Sequence, residues 1–155
     1  MIRRTLVTLP LAFALVVCAW SARTDRDVLV ADARTPMKVT RLFTGPDGKT
    51  HAETLEMKLT QQNRSETELS DTVKVTGLQF RRTSPKYALD FHPAPARQYV
   101  VTLSGRGEIE LEDGTKIPLT PGHILLAEDT TGKGHISRAI GSEDRLSLFI
   151  QLADK

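Results

Sequence analysis

Four histidines, His51, His92, His123 and His135, are the side chains of this sequence best suited to proton transfer near neutral pH or to holding a metal. Other chemistries have no foothold. No G-x-S-x-G elbow, phosphate-cradling loop or dinucleotide fingerprint is present, so the serine-nucleophile and phosphate-binding readings are weak. Cys18 is the only cysteine and lies in an apolar N-terminal segment, which closes the thiol-enzyme and cysteine-zinc classes for the domain that follows. What remains is a histidine-centred site. His135 follows the glycine-flanked turn of Thr130–Gly134 and starts a strand, either as a pocket residue or as a packed, hydrogen-bonded one. His92 precedes Pro93 and so has an extended backbone, either as a ligand or as a loop residue. Arg97 and Gln98 lead a strand and must point to opposite faces: with Gln98 inward, Arg97 faces out towards a surface ion pair. His123, after Pro121-Gly122, reads as a solvated turn residue, and His51, close to Asp47-Gly48, as a loop residue. Lys133 in TTGKG either helps bind an anion or belongs to a flexible loop over the site. Tyr87 and Phe91 either stack on a planar ligand or fill the core.

The elements that must position these residues are strands. Tyr99–Leu103 is β-branched and aromatic, and Glu108–Glu112 alternates charge with Ile109 and Leu111, the period-two pattern of a half-buried strand. Asp113-Gly114 predicts a two-residue type I′ hairpin, answered by Lys116–Leu119. Pro121-Gly122 turns the chain again before the apolar Ile124–Ala127. Upstream, Val39–Phe43, Ala52–Leu59, Val73–Arg82 and Tyr87–Phe91 read as strands, and Thr60–Asp71 as a polar loop or a short helix. Leu146–Leu152 closes the sheet as a strongly apolar strand. Short strands at close spacing, with no helical period between them, predict an all-β double-sheet barrel or sandwich. Small ligands are usually held inside such barrels.

The N-terminus reads as a targeting segment. Met1–Arg4 is positively charged, Thr5–Trp20 is uncharged and apolar, and Ala19, Ser21 and Ala22 are small enough for cleavage. A signal peptide over 1–22, a linker or loose arm over 23–36 and one domain over 37–155 are expected, in a protein exported to the periplasm or beyond. A retained anchor is the alternative, although the apolar run is short of the roughly 20 residues that span a bilayer core; a lipidated Cys18 is a third reading. Arg3 and Arg4 leave with the signal, so 19 basic residues would face 19 acidic ones. No basic stripe with interleaved aromatics suggests nucleic acid. The expected partner is a small molecule, with membrane contact only through the N-terminal segment.

The pairing of DFHPAPARQYVVTLSG with PGHILLAEDTTGKGH resembles the two motifs of the cupin superfamily, over roughly Val73–Leu152. In the first motif, G-x5-H-x-H-x3,4-E-x6-G, Gly105 takes the final glycine, Gln98 the glutamate position and His92 the first histidine. The second histidine falls on Ala94 and the opening glycine on Lys86. In the second motif Gly122 and, after two extra residues, His135 match, while the asparagine falls on Ala139. The strings HPAPxRQ and EDTTGKGH are similar to those of a subgroup of small RmlC-like cupins with no assigned function. The resemblance implies a cupin-like double-stranded β-helix, or jelly-roll barrel, and a divalent metal (Fe, Mn, Ni or Zn) on His92, Gln98 and His135, with Asp129 or Asp90 as a further carboxylate. It implies His135 and His92 as catalytic groups, with Gln98, Arg97 and Asp129 towards substrate, in an isomerase, lyase or dioxygenase. A metal-free barrel that binds a small or carbohydrate-like ligand without catalysis is the alternative. Barrels of this type also pair through their first strands, which makes Val39–Leu59 the expected edge of a homodimer.

Overall fold

The computed structural model describes residues 35–62 and 66–153, and every element in them is a strand. In chain order these are β1 (Lys38–Thr44), β2 (Thr50–Glu56), β3 (Thr60–Gln61), β4 (Glu68–Leu69), β5 (Val75–Thr83) and β6 (Ala88–His92). They continue as β7 (Gln98–Ser104), β8 (Arg106–Glu110), β9 (Lys116–Leu119), β10 (Ile124–Glu128), β11 (His135–Ile140) and β12 (Arg145–Leu152). A six-stranded sheet in the order β2-β1-β10-β7-β12-β5 faces a four-stranded sheet in the order β6-β11-β8-β9. Pairing is antiparallel except between β1 and β10. The all-β double-sheet barrel expected from the sequence is the fold observed. The expected signal segment 1–22 and the arm as far as Arg34 lie outside the described residues.

Alternation explains the core. Leu42, Val100, Leu125 and Phe149 from the large sheet meet Ile109, Leu111, Ile117 and Leu119 from the small one. Burying each such side chain contributes about 1.5–3 kcal/mol, and together they hold the sheets face to face. A second cluster, Val39, Leu126 and Leu152 with Leu55 and Met57, lies on the opposite face of the large sheet. Leu78 and Phe80 are on that outer side too, and Phe80 is 83% exposed.

Four local expectations need correction. His51, read as a loop residue, lies in β2 opposite Phe43. The turn at Asp113-Gly114 is a three-residue loop: Gly114 N–H donates to Leu111 O, Leu111 N–H to Thr115 O, and the Asp113 carboxylate accepts from Thr115 N–H at 2.8 Å. That side-chain bond favours the longer loop over a two-residue I′ turn. Within the supposed loop 60–71, β3 and β4 form a short ladder, Thr60 opposite Leu69 and Gln61 opposite Glu68. His123 is half-buried and its Nε2 lies 2.9 Å from Thr40 Oγ1, because β10 begins directly after it and pairs with β1.

Candidate functional site

Between the sheets lies a cavity of about 310 Å³ lined by both layers. β6 and β11 place His92 and His135 in its wall as direct cross-strand neighbours. Cross-strand pairs stand close on a pleated surface, and the two rings are 4.7 Å apart at their centroids. The close approach depends on Gly134. Its φ is +77°, and a Cβ there would stand 2.0 Å from the carbonyl oxygen of His92. The neighbouring TTGKG loop is pinned and not aimed at the cavity. Lys133 pairs with Glu112 at 2.8 Å, covers the Phe91 ring and donates its backbone N–H to Gly48 O.

Each imidazole is oriented through Nδ1. His135 Nδ1 lies 2.6 Å from Asp129 Oδ2, and His92 Nδ1 lies 2.7 Å from the Asp90 carbonyl oxygen. A carbonyl only accepts, and an ionised carboxylate likewise, so both rings donate Nδ1–H and in the neutral form keep the Nε2 lone pair. Asp129 is fully buried, and Thr50 Oγ1 donates to the same Oδ2 at 3.1 Å. It stands behind His135 and not in the cavity wall. This carboxylate–imidazole pair fixes a tautomer and stabilises an imidazolium if the ring takes up a proton.

The remaining expected site residues divide. Gln98 is buried, faces the cavity, and its Oε1 has no hydrogen-bond partner among the described residues. Arg97 lies on the opposite face, as alternation requires, and shares Glu128 with Arg41 in a part-buried ion-pair network. Arg97 therefore cannot touch a ligand in the cavity. Burial pushes the Glu128 carboxyl up, but the hydrogen bonds and charges of Arg97 and Arg41 outweigh it and hold its pKa below the ordinary value. Tyr87 also lines the cavity, with its hydroxyl 3.1 Å from Ser137 Oγ. Burial raises its pKa, yet hydrogen bonds to Ser137 and Arg81 and the charges of Arg81 and Arg145 lower it by more.

The donor set does not fit a divalent metal. His92, Gln98 and His135 supply two imidazoles and a neutral amide, and no Asp or Glu lines the cavity. Among the described residues no group of three or more His, Cys, Asp or Glu side chains could hold a metal ion. Arg81 and Arg145 line the same space, so a dication would meet positive charge with no anionic ligand to offset it. Asp90 turns away: its carboxylate accepts from the Phe91 N–H, and only its carbonyl reaches His92.

Sequence reasoning missed both arginines. Arg145 falls just outside the expected strand Leu146–Leu152, and Arg81 stands beside Arg82 at the end of the expected strand Val73–Arg82. The one available signal was the alternation through β12, in which Arg145, Ser147, Phe149 and Gln151 share a face.

No protein-family model matches the chain, and no curated protein matches it. Solved structures give distant likenesses. A conserved protein of unknown function from Streptococcus pyogenes superposes with a TM-score of 0.39 at 16% identity, over 55% of this chain and 72% of that one. A protein from Neisseria meningitidis gives 0.39 at 12% identity, over 57% and 90%. An RmlC-like cupin protein from Desulfovibrio desulfuricans gives 0.36 at 16% identity, over 59% and 96%.

Proposed function

We propose that the barrel is a small-molecule enzyme of the isomerase or lyase type, acting by proton transfer at His135 with Asp129 behind it. The observation that carries this reading is the 2.6 Å contact from His135 Nδ1 to a fully buried carboxylate, which leaves Nε2 as the ring's free acceptor in the cavity wall. Nε2 takes a proton from a carbon next to a carbonyl, Asp129 stabilises the imidazolium, and the ring returns the proton to the neighbouring position or to a leaving group. His92 is the second proton-exchanging group, and Gln98 orients the substrate. The dioxygenase expectation requires a metal, which the donor set of this cavity does not fit. The apolar Thr5–Trp20 segment supports export as the setting of this activity. A second reading, a non-catalytic ligand-binding barrel, is favoured by the mainly aliphatic walls of the cavity.

The test incubates the full chain in D2O with small 2-oxo acids, hydroxyketones and aldoses, and follows C–H wash-out and ligand binding by NMR. Proton transfer predicts wash-out on at least one compound that His135→Gln lowers by about a hundredfold or more. Binding without wash-out above buffer on every compound would establish the non-catalytic barrel instead.

A further inference from the structure

The far end of the cavity carries a cation that the proton-transfer reading leaves unused. β12 pairs with β5 and β7 so that Arg145 lies opposite Thr83, and Ser147 opposite Arg81 and Thr102. Arg145 is 2% exposed, and its Nε and Nη1 have no hydrogen-bond partner among the described residues. The hydroxyls of Thr83, Thr102 and Ser147 are likewise buried without a partner. Gly107 on β8 makes room for the arginine: a Cβ there would stand 3.2 Å from Nη1 and 3.3 Å from Cδ. Arg81 lies beside it, its guanidinium 4.8 Å over the Tyr87 ring and 4.9 Å over Phe149.

A guanidinium keeps its proton, so it cannot escape burial by becoming neutral. A buried charge without a counter-ion is costly and is retained where a function uses it. Burial, and then the like charge of Arg81, lower the Arg145 pKa, with Tyr87 opposing them. The nearest acid in sequence, Asp144, faces Arg82. The counter-ion is therefore not part of the described fold.

We infer that Arg145, with Arg81 beside it, is a carboxylate-binding subsite, and that the ligand of this cavity is a small organic acid. Its anionic end sits at Arg145, where a planar guanidinium matches a carboxylate. Its apolar body lies along Val100, Ile109, Leu119 and Phe149, and its far end faces His92 and His135. One buried arginine and a cavity of about 310 Å³ suit a single carboxylate group better than a polyphosphate. The inference deepens the proposed function and rests on the same cavity being the ligand site, but not on proton transfer.

The test titrates the full chain with benzoate, with its neutral isostere benzamide and with inorganic phosphate, by calorimetry. Benzoate binding at least about tenfold tighter than benzamide is expected. Arg145→Met should abolish that preference, and Arg145→Lys should restore part of it. Arg81→Met should weaken the preference about threefold; it is a second variant should Arg145→Met fail to fold, which thermal unfolding shows. Equal binding of acid and amide, no benzoate binding at millimolar concentration, tighter binding of phosphate, or a preference that survives Arg145→Met would overturn the subsite. A benzoate preference in a protein that washes out no C–H would keep the subsite and remove only the proton-transfer reading.

Discussion

At the β6–β11 end of the cavity both imidazoles have an Nδ1 partner, Asp129 Oδ2 for His135 and the Asp90 carbonyl for His92. At the β5–β12 end, Arg145 Nε and Nη1 have none, and three hydroxyls on the same sheet share that condition. The histidine end has its orienting bonds built in. The arginine end holds buried donors without a partner among the described residues. Groups that must keep one tautomer need permanent partners, whereas a group that must receive a ligand needs its donors open. The oriented imidazoles belong to the small sheet and the unpartnered guanidinium to the large one.

Three substitutions break or sharpen this contrast. Gly134→Ala has the largest effect, because a Cβ would meet the His92 backbone at 2.0 Å in left-handed geometry. A loss of about 3 kcal/mol in chemical denaturation is expected, with the His92 and His135 ring resonances both shifted. A paired comparison comes next. Asp129→Ala removes a buried partner and should cost about 2 kcal/mol, whereas Arg145→Met removes an unpaired buried charge and should stabilise the ligand-free protein by about 1 kcal/mol. Opposite signs support the division between the ends; destabilisation by both variants to a similar extent would break it.

The smallest effect is at His123, outside the cavity. Burial holds its pKa below the ordinary 6.5, so the unfolded chain takes up the proton at higher pH than the folded one. Its contribution to stability is complete above about 6.5 and declines as pH falls from there towards the folded value. His123→Gln should flatten that slope in denaturation series, and ligand binding should stay unchanged.

Much of the architecture was legible because alternation and turn chemistry are local. Gln98 faces in and Arg97 out, as adjacent strand positions must, and His92 and His135 meet although they lie 43 positions apart in the sequence. The arginine end was hidden for a physical reason. Leu146, Leu148 and Ile150 look like the core-facing row of β12, yet the core takes Phe149 while Arg145 and Ser147 are buried on its side of the strand. Apolar residues on the outer face of the large sheet mask which row is inside, and only the register with β5 and β7 reveals it. Asp129 was legible as an acid near His135, but its place behind the ring depends on long-range packing against Thr50.

The most direct measurement is the tautomeric state of His135 and His92 in the full chain, from long-range proton–nitrogen NMR correlations of the neutral imidazoles. Nδ1–H is expected on both rings, with the His135 proton strongly deshielded by Asp129 and shifted upfield in Asp129→Ala. Nε2–H on His135, or a ring signal indifferent to Asp129→Ala, would contradict it.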